Sequence, residues 1–460
     1  MAVRRWRFSC AVFLVIAGLA STPARAQNII QAQTTGPSEA SIADSLPQKG
    51  DPTGLRKWLE QHGTTFTVFY TNDVLSNLAG GIRRGTIDQG KLELQVTHDL
   101  DKILGLKGLT LYWNAFQIHN SGRMRRDYAG GTNTIAAIEA NATTRLSELW
   151  LEQKFLNDAA SFRIGQLAAD SEFFFADLST MFLQSDYPTA AANNQPGGGP
   201  AYPLSTPGAR LRFDLGPKKD TTLLFAIFNG DPAGPCPGDP DTCNRYGLNF
   251  RVRDPALLYG EAQFRWNQDK DDIGLATQLK FGGWSHLGQF NDQRDDNNGA
   301  LLASPVSNGV PAQHRGDWGI YGIIDQQLYR PRGGDAASGI SVYTRASLSP
   351  SDRNLVDAYI DGGIVFNNLV PKRPHDKFGA AIVYARFSDS LRAFDRDQVN
   401  FGNLATPPRD YEANLEITYV AQVMPGWTVQ PVYTYIWHPS GAGIRYPDAQ
   451  VAGVRSIIKF

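Results

Sequence analysis

The last strand of the chain ends on an aromatic residue and alternates between apolar and charged side chains. One face is apolar with a single polar interruption, in the order Phe460, Ile458, Ser456, Val454, Ala452. The opposite face carries Lys459 and Arg455. Such a strand can meet lipid on its apolar side and a wet lumen on its charged side. A terminal aromatic residue in this setting is typical of an outer-membrane β-barrel.

The first 26 residues have the three parts of a secretory signal peptide. Three arginines among the first seven residues precede the apolar run 8–20, and Ala24-Arg25-Ala26 follows as a small-x-small cleavage site. The apolar run is shorter than the roughly 20 residues that a membrane-spanning helix needs. We therefore expect residues 1–26 to be a signal peptide that is removed, although an uncleaved N-terminal anchor is the alternative.

The rest of the chain divides into a flexible segment, a short helix and a long region of strands. Residues 27–53 are rich in Gln, Ala, Ser and Pro without periodicity and predict a flexible N-terminal segment. Residues 54–63 place apolar side chains at helical spacing and end on Gly63, which predicts a short helix. No apolar run of about 18 residues follows residue 26, so the sequence predicts no membrane-spanning helix. Residues 64–460 are expected to form a barrel.

The hydrophobic period in that region is two. In residues 92–98, for example, Leu92 and Leu94 lie on one face while Glu93 and Gln95 lie on the other. The pattern recurs in about sixteen segments. One of them is residues 246–253, in which the alternation would place Arg251 on a polar strand face.

Short turns and long polar loops alternate between these segments. Turns such as residues 215–220 and 423–427 are short, whereas residues 122–145, 186–207, 291–316 and 392–410 are long. This asymmetry predicts an all-β fold, a transmembrane antiparallel β-barrel of about 16 strands preceded by a short N-terminal helix. Residues 165–177 could fold inward as an eyelet loop or form a plain strand and turn. Tryptophans near strand ends, Trp284 among them, could form interfacial girdles.

Several segments resemble the carbohydrate-selective porins of the OprB type. The most specific are Glu148-Leu-Trp-Leu-Glu-Gln153 and Arg163-Ile-Gly-Gln-Leu-Ala-Ala-Asp-Ser-Glu-Phe-Phe174, supported by Pro207-Gly-Ala-Arg-Leu-Arg-Phe213 and Gln430-Pro431. The resemblance covers almost the whole mature chain. It implies a sixteen-stranded porin of the bacterial outer membrane that admits monosaccharides and related small polar solutes by passive diffusion.

Strand parity predicts which charged side chains face the lumen. The candidate pore-lining residues are Arg210, Arg212, Glu148, Glu152, Arg163, Arg251, Glu261, Arg265 and Glu93. A lining of both signs rejects neither sign strongly and offers donors and acceptors that can replace part of a sugar's hydration. Inward aromatic residues such as Tyr259 and Tyr343 could stack on sugar rings. In a wide barrel, however, most inward charges can equally be structural.

Two cysteines remain after the signal peptide, Cys236 and Cys243, in a loop rich in proline and glycine. Because an exported protein meets an oxidising compartment, we expect them to form a disulfide. Half of a metal site is the alternative, but no histidine is nearby. We expect no metal and no cofactor.

The predicted function is a diffusion porin for small sugars, and three alternatives stay open. A general or anion- and phosphate-selective porin would fit if arginines clustered without their glutamates. An outer-membrane barrel enzyme is disfavoured because neither a Gly-x-Ser-x-Gly nor a His-Glu-x-x-His motif occurs. A soluble glycan-binding sandwich would need a dry core. Expected partners are small sugars, outer-membrane lipid and, through Phe460, the barrel assembly machinery, with no nucleic acid.

Overall fold

The computed structural model describes residues 40–184, 189–403, 407–441 and 446–460. The predicted signal peptide, residues 1–26, lies outside the described residues. Residues 27–39 of the predicted flexible segment also lie outside them. The rest of that segment forms two 3₁₀ turns, Ile42–Ser45 and Pro47–Gly50. Among the described residues, no helix is both long and apolar enough to cross a membrane.

The described residues form sixteen strands. They are β1 Thr64–Ala79, β2 Gly85–Asp99, β3 Leu109–Asn120, β4 Thr143–Phe155, β5 Ala160–Leu167, β6 Thr206–Leu215, β7 Thr221–Asn229, β8 Ala256–Trp266, β9 Thr277–Asp296, β10 Pro311–Tyr329, β11 Gly339–Leu348, β12 Val356–Asn367, β13 Lys377–Phe387, β14 Tyr411–Met424, β15 Trp427–Trp437 and β16 Ala449–Lys459. The described part of the chain also holds five α-helices: α1 Leu55–Gln61, α2 Leu100–Leu104, α3 Thr189–Asn194, α4 Pro240–Cys243 and α5 Asp389–Asn400.

The strands form one closed antiparallel barrel. Each strand pairs with its neighbour in the chain, and β1 pairs with β16 to close the ring. The closing register sets Asp73 opposite Arg455 and Val74 opposite Val454. The prediction of a sixteen-stranded antiparallel barrel with a short N-terminal helix is confirmed. The helix α1 lies at the closure, where the guanidinium of Arg56 is 5.1 Å from the ring centroid of Phe460.

The two faces of the barrel wall differ as the period of two requires. Outward residues are large, apolar and exposed, as in Val74, Leu92, Leu151, Ile164, Leu211, Phe225, Ile227, Leu258, Phe281, Ile320, Ile360, Ile382, Ile417 and Val454. Inward residues include many buried polar and charged side chains, such as Asp73, Glu93, Glu152, Arg163, Arg210, Glu261, Arg345 and Glu416. This distribution of side chains is the one expected of a barrel wall with lipid on its outside and a polar lumen on its inside.

The connections at the two rims differ in length. The rim that holds both ends of the barrel has short turns, such as residues 156–159, 216–220 and 425–426. The opposite rim has the long connections, including residues 121–142, 168–205, 230–255 and 388–410. In outer-membrane barrels the longer loops are extracellular, so we refer to this second rim as the outer rim.

Two sequence-based expectations about the wall are wrong. Residues 246–253 are not a strand: they lie in the 230–255 connection, where Leu248 and Val252 are exposed. The segment is attached to the outer end of β4, where the N–H of Leu146 donates to the carbonyl of Tyr246, but it forms no strand of its own. Trp284 is buried on the inward face of β9 and is not part of an outward girdle.

Residues 168–205, here called the inward loop, leave the wall after β5 and enter the lumen. Of these, 168–184 and 189–205 are described. Their apolar side chains pack on inward residues of distant strands in a cluster that includes Phe174, Phe182, Tyr321, Tyr343 and Val365. Of the segment 165–177, residues 165–167 complete β5 and residues 168–177 follow the inward-loop alternative, since the three phenylalanines at 173–175 are buried inside the barrel.

Candidate pore constriction

Buried carboxylates of the barrel wall hold the inward loop by its backbone. Glu416 on β14 accepts hydrogen bonds from the N–H groups of Leu183, at 2.8 Å, and Gln184, at 3.1 Å. Asp325 on β10 likewise accepts from the N–H groups of Asp177, at 3.3 Å, and Leu178, at 3.2 Å. A carboxylate that accepts two backbone donors satisfies groups that would otherwise be costly to bury. The loop is therefore fixed at defined points.

Glu148 and Glu261, two of the predicted pore-lining acids, also bind this loop. Glu148 accepts from the N–H of Ala168 at 3.2 Å, where the loop leaves β5. Glu261 accepts from the N–H of Phe174 at 2.9 Å and from the hydroxyl of Tyr321 at 2.7 Å. Both carboxylates point inward, but loop backbone occupies them, so their contacts are structural.

The anchor points show that the inward loop spans the lumen. It starts at the end of β5, whereas its anchor Glu416 lies on β14, nine places from β5 around a ring of sixteen strands. These strands are on nearly opposite walls. The loop meets a second connection there, because the N–H of Ala137 in residues 121–142 donates to the carbonyl of Leu183 at 2.7 Å. The inward loop and the 121–142 connection therefore meet at the wall opposite β5, and we refer to this crossing of the lumen as the candidate constriction.

Four charged residues join the start of the inward loop to the wall in an alternating network. Arg163 contacts Glu152 at 3.0 Å and Glu172 at 2.8 Å. Arg210 contacts the same two carboxylates, at 3.0 Å and 2.6 Å. We call Glu152, Arg163, Glu172 and Arg210 the charge quartet. Burial raises the pKa of Glu172, but the nearby guanidinium groups of Arg163 and Arg210 outweigh burial, so this pKa lies below its usual range.

An aromatic stack supports the quartet from β3 and β4. The guanidinium of Arg163 lies 3.7 Å from the ring centroid of Trp150, and Trp150 stacks on Tyr112 with centroids 4.7 Å apart. Gly165 makes this approach possible: a Cβ there would collide with the carbonyl of Leu149 and lie 2.6 Å from the Cα of Trp150. The sequence Arg163-Ile-Gly165 thus fixes both the cation and the space beside it.

Elsewhere in the lumen, cations are also paired with acids. Glu93, a predicted pore-lining residue, contacts Lys91 at 3.0 Å and accepts from Gln95 at 2.7 Å. Arg212 contacts Asp214 at 2.9 Å. Further pairs on the inward face are Arg345 with Asp361, Arg455 with Asp73 and Lys280 with Asp177. Arg265 differs, since its guanidinium donates to the amide oxygen of Gln263 at 2.7 Å.

Arg251 lies elsewhere than its predicted strand. It is in the 230–255 connection at the outer rim, where its guanidinium contacts Asp254 at 2.5 Å and 2.8 Å. It was assigned to the lumen only because residues 246–253 alternate. In the same connection, Cys236 and Cys243 are joined by a disulfide with Cα atoms 5.8 Å apart.

The inward aromatic residues are less available than the sequence suggested. Tyr259 is buried against Phe173, with centroids 5.1 Å apart, and Gln195 donates to its hydroxyl at 2.6 Å. Tyr343 is buried near Phe182 of the inward loop. Both rings therefore position the loop, and neither offers a free face for a sugar.

Sequence reasoning did not single out Glu172 or Asp325. Glu172 lies beyond the end of β5, where strand parity gives no direction. Asp325 is on an inward face of β10 beside Ile323, so the alternation was a usable signal for it. Within the described ranges, no group of three or more His, Cys, Asp or Glu side chains could hold a metal ion.

Comparison with known proteins decides the family. The family model of the carbohydrate-selective porins, OprB family, matches residues 83–460. The chain belongs to the OprB family. It is therefore a porin channel of the bacterial outer membrane. Porin B of Pseudomonas aeruginosa is 24% identical over 435 residues, which cover 91% of this chain and 92% of that protein.

Solved structures of the OprB family share the fold. The high-pH structure of Pseudomonas putida OprB has a TM-score of 0.79 at 22% identity and covers 90% of this chain and 98% of that one. The low-pH structure of the same protein has a TM-score of 0.53 at 16% identity, covering 92% and 100%. These likenesses show the barrel architecture and do not extend to individual lumen residues.

Proposed function

We propose that this porin passes small neutral sugars, such as monosaccharides, into the periplasm by passive diffusion, with a preference over charged solutes of the same size. The observation that carries the proposal is the charge quartet, in which two arginines and two glutamates neutralise each other where the inward loop meets the wall. A paired lining gives no strong field for one sign of ion.

The same pairing leaves hydrogen-bonding capacity for hydroxyl groups. An arginine has five N–H donors and a carboxylate about four acceptor sites, so each can bind its partner and a passing hydroxyl. A neutral sugar can exchange water for these groups without the desolvation cost that an ion would carry. We accordingly assign control of the electric field at the constriction to the buried residues Glu152, Arg163 and Arg210, together with Glu93, and direct contacts with the solute to the half-buried Arg212 and Arg265.

Liposome swelling tests this proposal. The mature chain, refolded into vesicles, should admit glucose quickly and a disaccharide several times more slowly, because the inward loop narrows the lumen. Protein-free vesicles and vesicles with heat-denatured chain are the controls. Equal rates for both sugars would indicate a general porin. The absence of swelling by a correctly folded chain would reject the channel function for sugars.

The remaining proposals concern processing and assembly. We infer that residues 1–26 are removed on export and that the barrel assembly machinery recognises the C-terminal strand through Phe460. The outward apolar residues support contact with outer-membrane lipid. We also infer that the chain carries out no catalysis. Replacing Phe460 with Ala should lower the amount of heat-modifiable barrel in outer membranes, whereas unchanged assembly would reject this role of Phe460.

A further inference from the structure

An exposed apolar segment lies at the outer rim of the barrel. Tyr246, Leu248, Phe250 and Val252 are 59%, 63%, 49% and 74% exposed. Residues 246–252, here called the apolar ribbon, belong to the 230–255 connection and to no strand. Contiguous exposed apolar side chains are unfavourable in water and usually mark a surface that something else covers.

The ribbon fills a gap in the wall. Because β5 ends at Leu167 and the chain then turns into the lumen, the outer end of β4 lacks that neighbour. The N–H of Leu146 on β4 donates instead to the carbonyl of Tyr246 at 3.0 Å. Gln166 donates to the carbonyl of Gly247 at 3.0 Å. The ribbon is thus attached to the barrel and is not a free loop.

The other end of the ribbon is fixed as well. Arg251 of the ribbon forms an ion pair with Asp254. The N–H of Asp254 in turn donates to the side-chain oxygen of Asn229, at the end of β7, at 2.9 Å. The exposed side chains are therefore presented by a backbone that is tied down on both sides. This arrangement makes a defined surface.

The ribbon lies at the outer edge of the membrane's apolar layer. Leu146 is nine residues from the inner end of β4 at Phe155, which corresponds to about 23 Å along the membrane normal for a strand tilted by about 40°. The apolar band of such barrels is about 25 Å tall. Leu258, which follows the ribbon on β8, is outward and exposed in the same way.

The backbone of the ribbon also limits how deeply the ribbon can lie in the membrane. The N–H groups of Leu248, Phe250 and Val252 make no hydrogen bond with any residue that the structure describes. Free N–H groups are not tolerated in hydrocarbon. The ribbon therefore belongs at the level of the headgroups, where oxygen acceptors are present, with its apolar side chains directed at the acyl chains.

Two exposed arginines flank the ribbon. Arg245 donates to the carbonyl of Ala142 at 3.2 Å, and neither Arg245 nor Arg253 forms an ion pair with a described carboxylate. From this arrangement we propose that the ribbon binds a phosphate-bearing lipid of the outer leaflet. Arg245 and Arg253 bind the headgroup phosphate, and Leu248, Phe250 and Val252 contact its acyl chains. Charge complementarity and continuity with the lipid-facing wall favour lipid over a protein partner.

Native mass spectrometry of the delipidated full chain in detergent tests this site. The probes are phosphatidylglycerol and phosphatidylcholine with identical acyl chains, each added at equal concentration. The wild-type chain should retain phosphatidylglycerol preferentially. The double substitution Arg245→Gln with Arg253→Gln should weaken retention by about 30-fold, as expected for the loss of two arginines near a phosphate. Leu248→Ser with Val252→Ser should weaken retention of both lipids.

Matched controls separate this site from general surface charge. Arg84→Gln with Arg332→Gln removes two exposed arginines elsewhere and should retain lipid as the wild type does. Single-channel conductance of all variants should match the wild type, which shows that the barrel is folded. The proposal would be overturned if the wild type retained the two lipids equally. It would also be overturned if the Arg245/Arg253 variant retained phosphatidylglycerol as well as the wild type does.

Two further outcomes would contradict a lipid site. One is displacement of the lipid by inorganic phosphate alone. The other is a wild-type oligomer that the ribbon variants abolish, which would assign the ribbon to a second copy of the chain.

Discussion

Glu416 on β14 accepts a hydrogen bond from the backbone N–H of Leu183, at 2.8 Å, across 233 positions of the chain. The bond joins a buried wall carboxylate to the middle of the inward loop, where the loop reaches the opposite wall. Together with the charge quartet at the start of that loop, it fixes both sides of the constriction. The acids of this barrel thus shape the channel mainly by holding loop backbone.

Glu416→Gln should loosen the inward loop. A glutamine can accept a hydrogen bond from one of the two N–H groups through its amide oxygen, but its NH₂ group cannot accept one from the other. The loss of that hydrogen bond should weaken the anchoring of the loop by about 1–3 kcal/mol. We expect the ratio of disaccharide to glucose permeation to rise in liposome swelling.

Asp296→Asn is the matched control for that substitution. Asp296 is also a buried carboxylate, at the outer end of β9, but it accepts from the N–H groups of Asn298, Ala300 and Asn308 in the 297–310 connection, away from the inward loop. This variant should keep the wild-type ratio of disaccharide to glucose permeation. If both variants changed the ratio equally, the inward loop would not be the element that sets the size limit.

Arg210→Ala should make the channel more cation-preferring. The substitution leaves Glu152 and Glu172 with only Arg163 as a cationic partner, so the quartet gains one net negative charge. The reversal potential under a salt gradient should move toward the value expected of a purely cation-selective channel. Arg386→Ala, which removes an arginine from the outer end of β13, serves as the control. An unchanged reversal potential for Arg210→Ala would mean that the current does not pass the quartet.

The pH dependence of ion selectivity follows from Glu172. Its pKa is lowered in the folded protein, so its charge and the stability it contributes are present above the unfolded value of about 4.3 and are lost as the pH falls through the folded pKa. The contribution of Glu172 to ion selectivity should be constant from pH 8 to pH 5, and its loss below about pH 4 should move selectivity toward anions. Glu172→Gln should show more anion preference at pH 7 and a smaller change on acidification. A selectivity change between pH 8 and pH 5 that Glu172→Gln removes would contradict this assignment.

Gly165→Ala should destabilise the barrel more than a glycine substitution on an open part of the wall. At φ +148° and against Leu149 and Trp150, a methyl group must displace the strand, at a cost of about 1–3 kcal/mol. Gly260→Ala is the control, because the nearest atom to its added Cβ is 3.8 Å away, on Phe225. Urea unfolding in detergent measures both. Equal midpoints would show that the contact between Gly165 and Trp150 relaxes at no cost.

The strand pattern could be predicted because each strand carries its own signal. Outward residues such as Leu92 and inward residues such as Glu93 alternate within a few positions, and lipid and water impose that alternation directly. The same reasoning failed at residues 246–253, since this exposed apolar ribbon at the end of β4 alternates as a strand does without being one. Alternation reports which side chains meet lipid, and it does not report which backbone groups are paired.

The partners of the lumen acids could not be predicted in this way. Parity places Glu148 and Glu261 on the inward face, but their partners are N–H groups of Ala168 and Phe174 in a loop. Backbone donors are the same for every residue type, so the sequence carries no mark of them. The contact between Arg163 and Glu152 was easier to predict from the sequence. The two residues have opposite charge and lie opposite each other on neighbouring strands.

The central claim is that paired charges at the constriction favour neutral sugars. Swelling rates of vesicles with glucose, gluconate and glucosamine test it most directly, since the three solutes have similar size and differ in charge. We expect glucose to permeate faster than both charged analogues. Faster permeation of gluconate than of glucose would contradict it and would indicate an anion-selective channel.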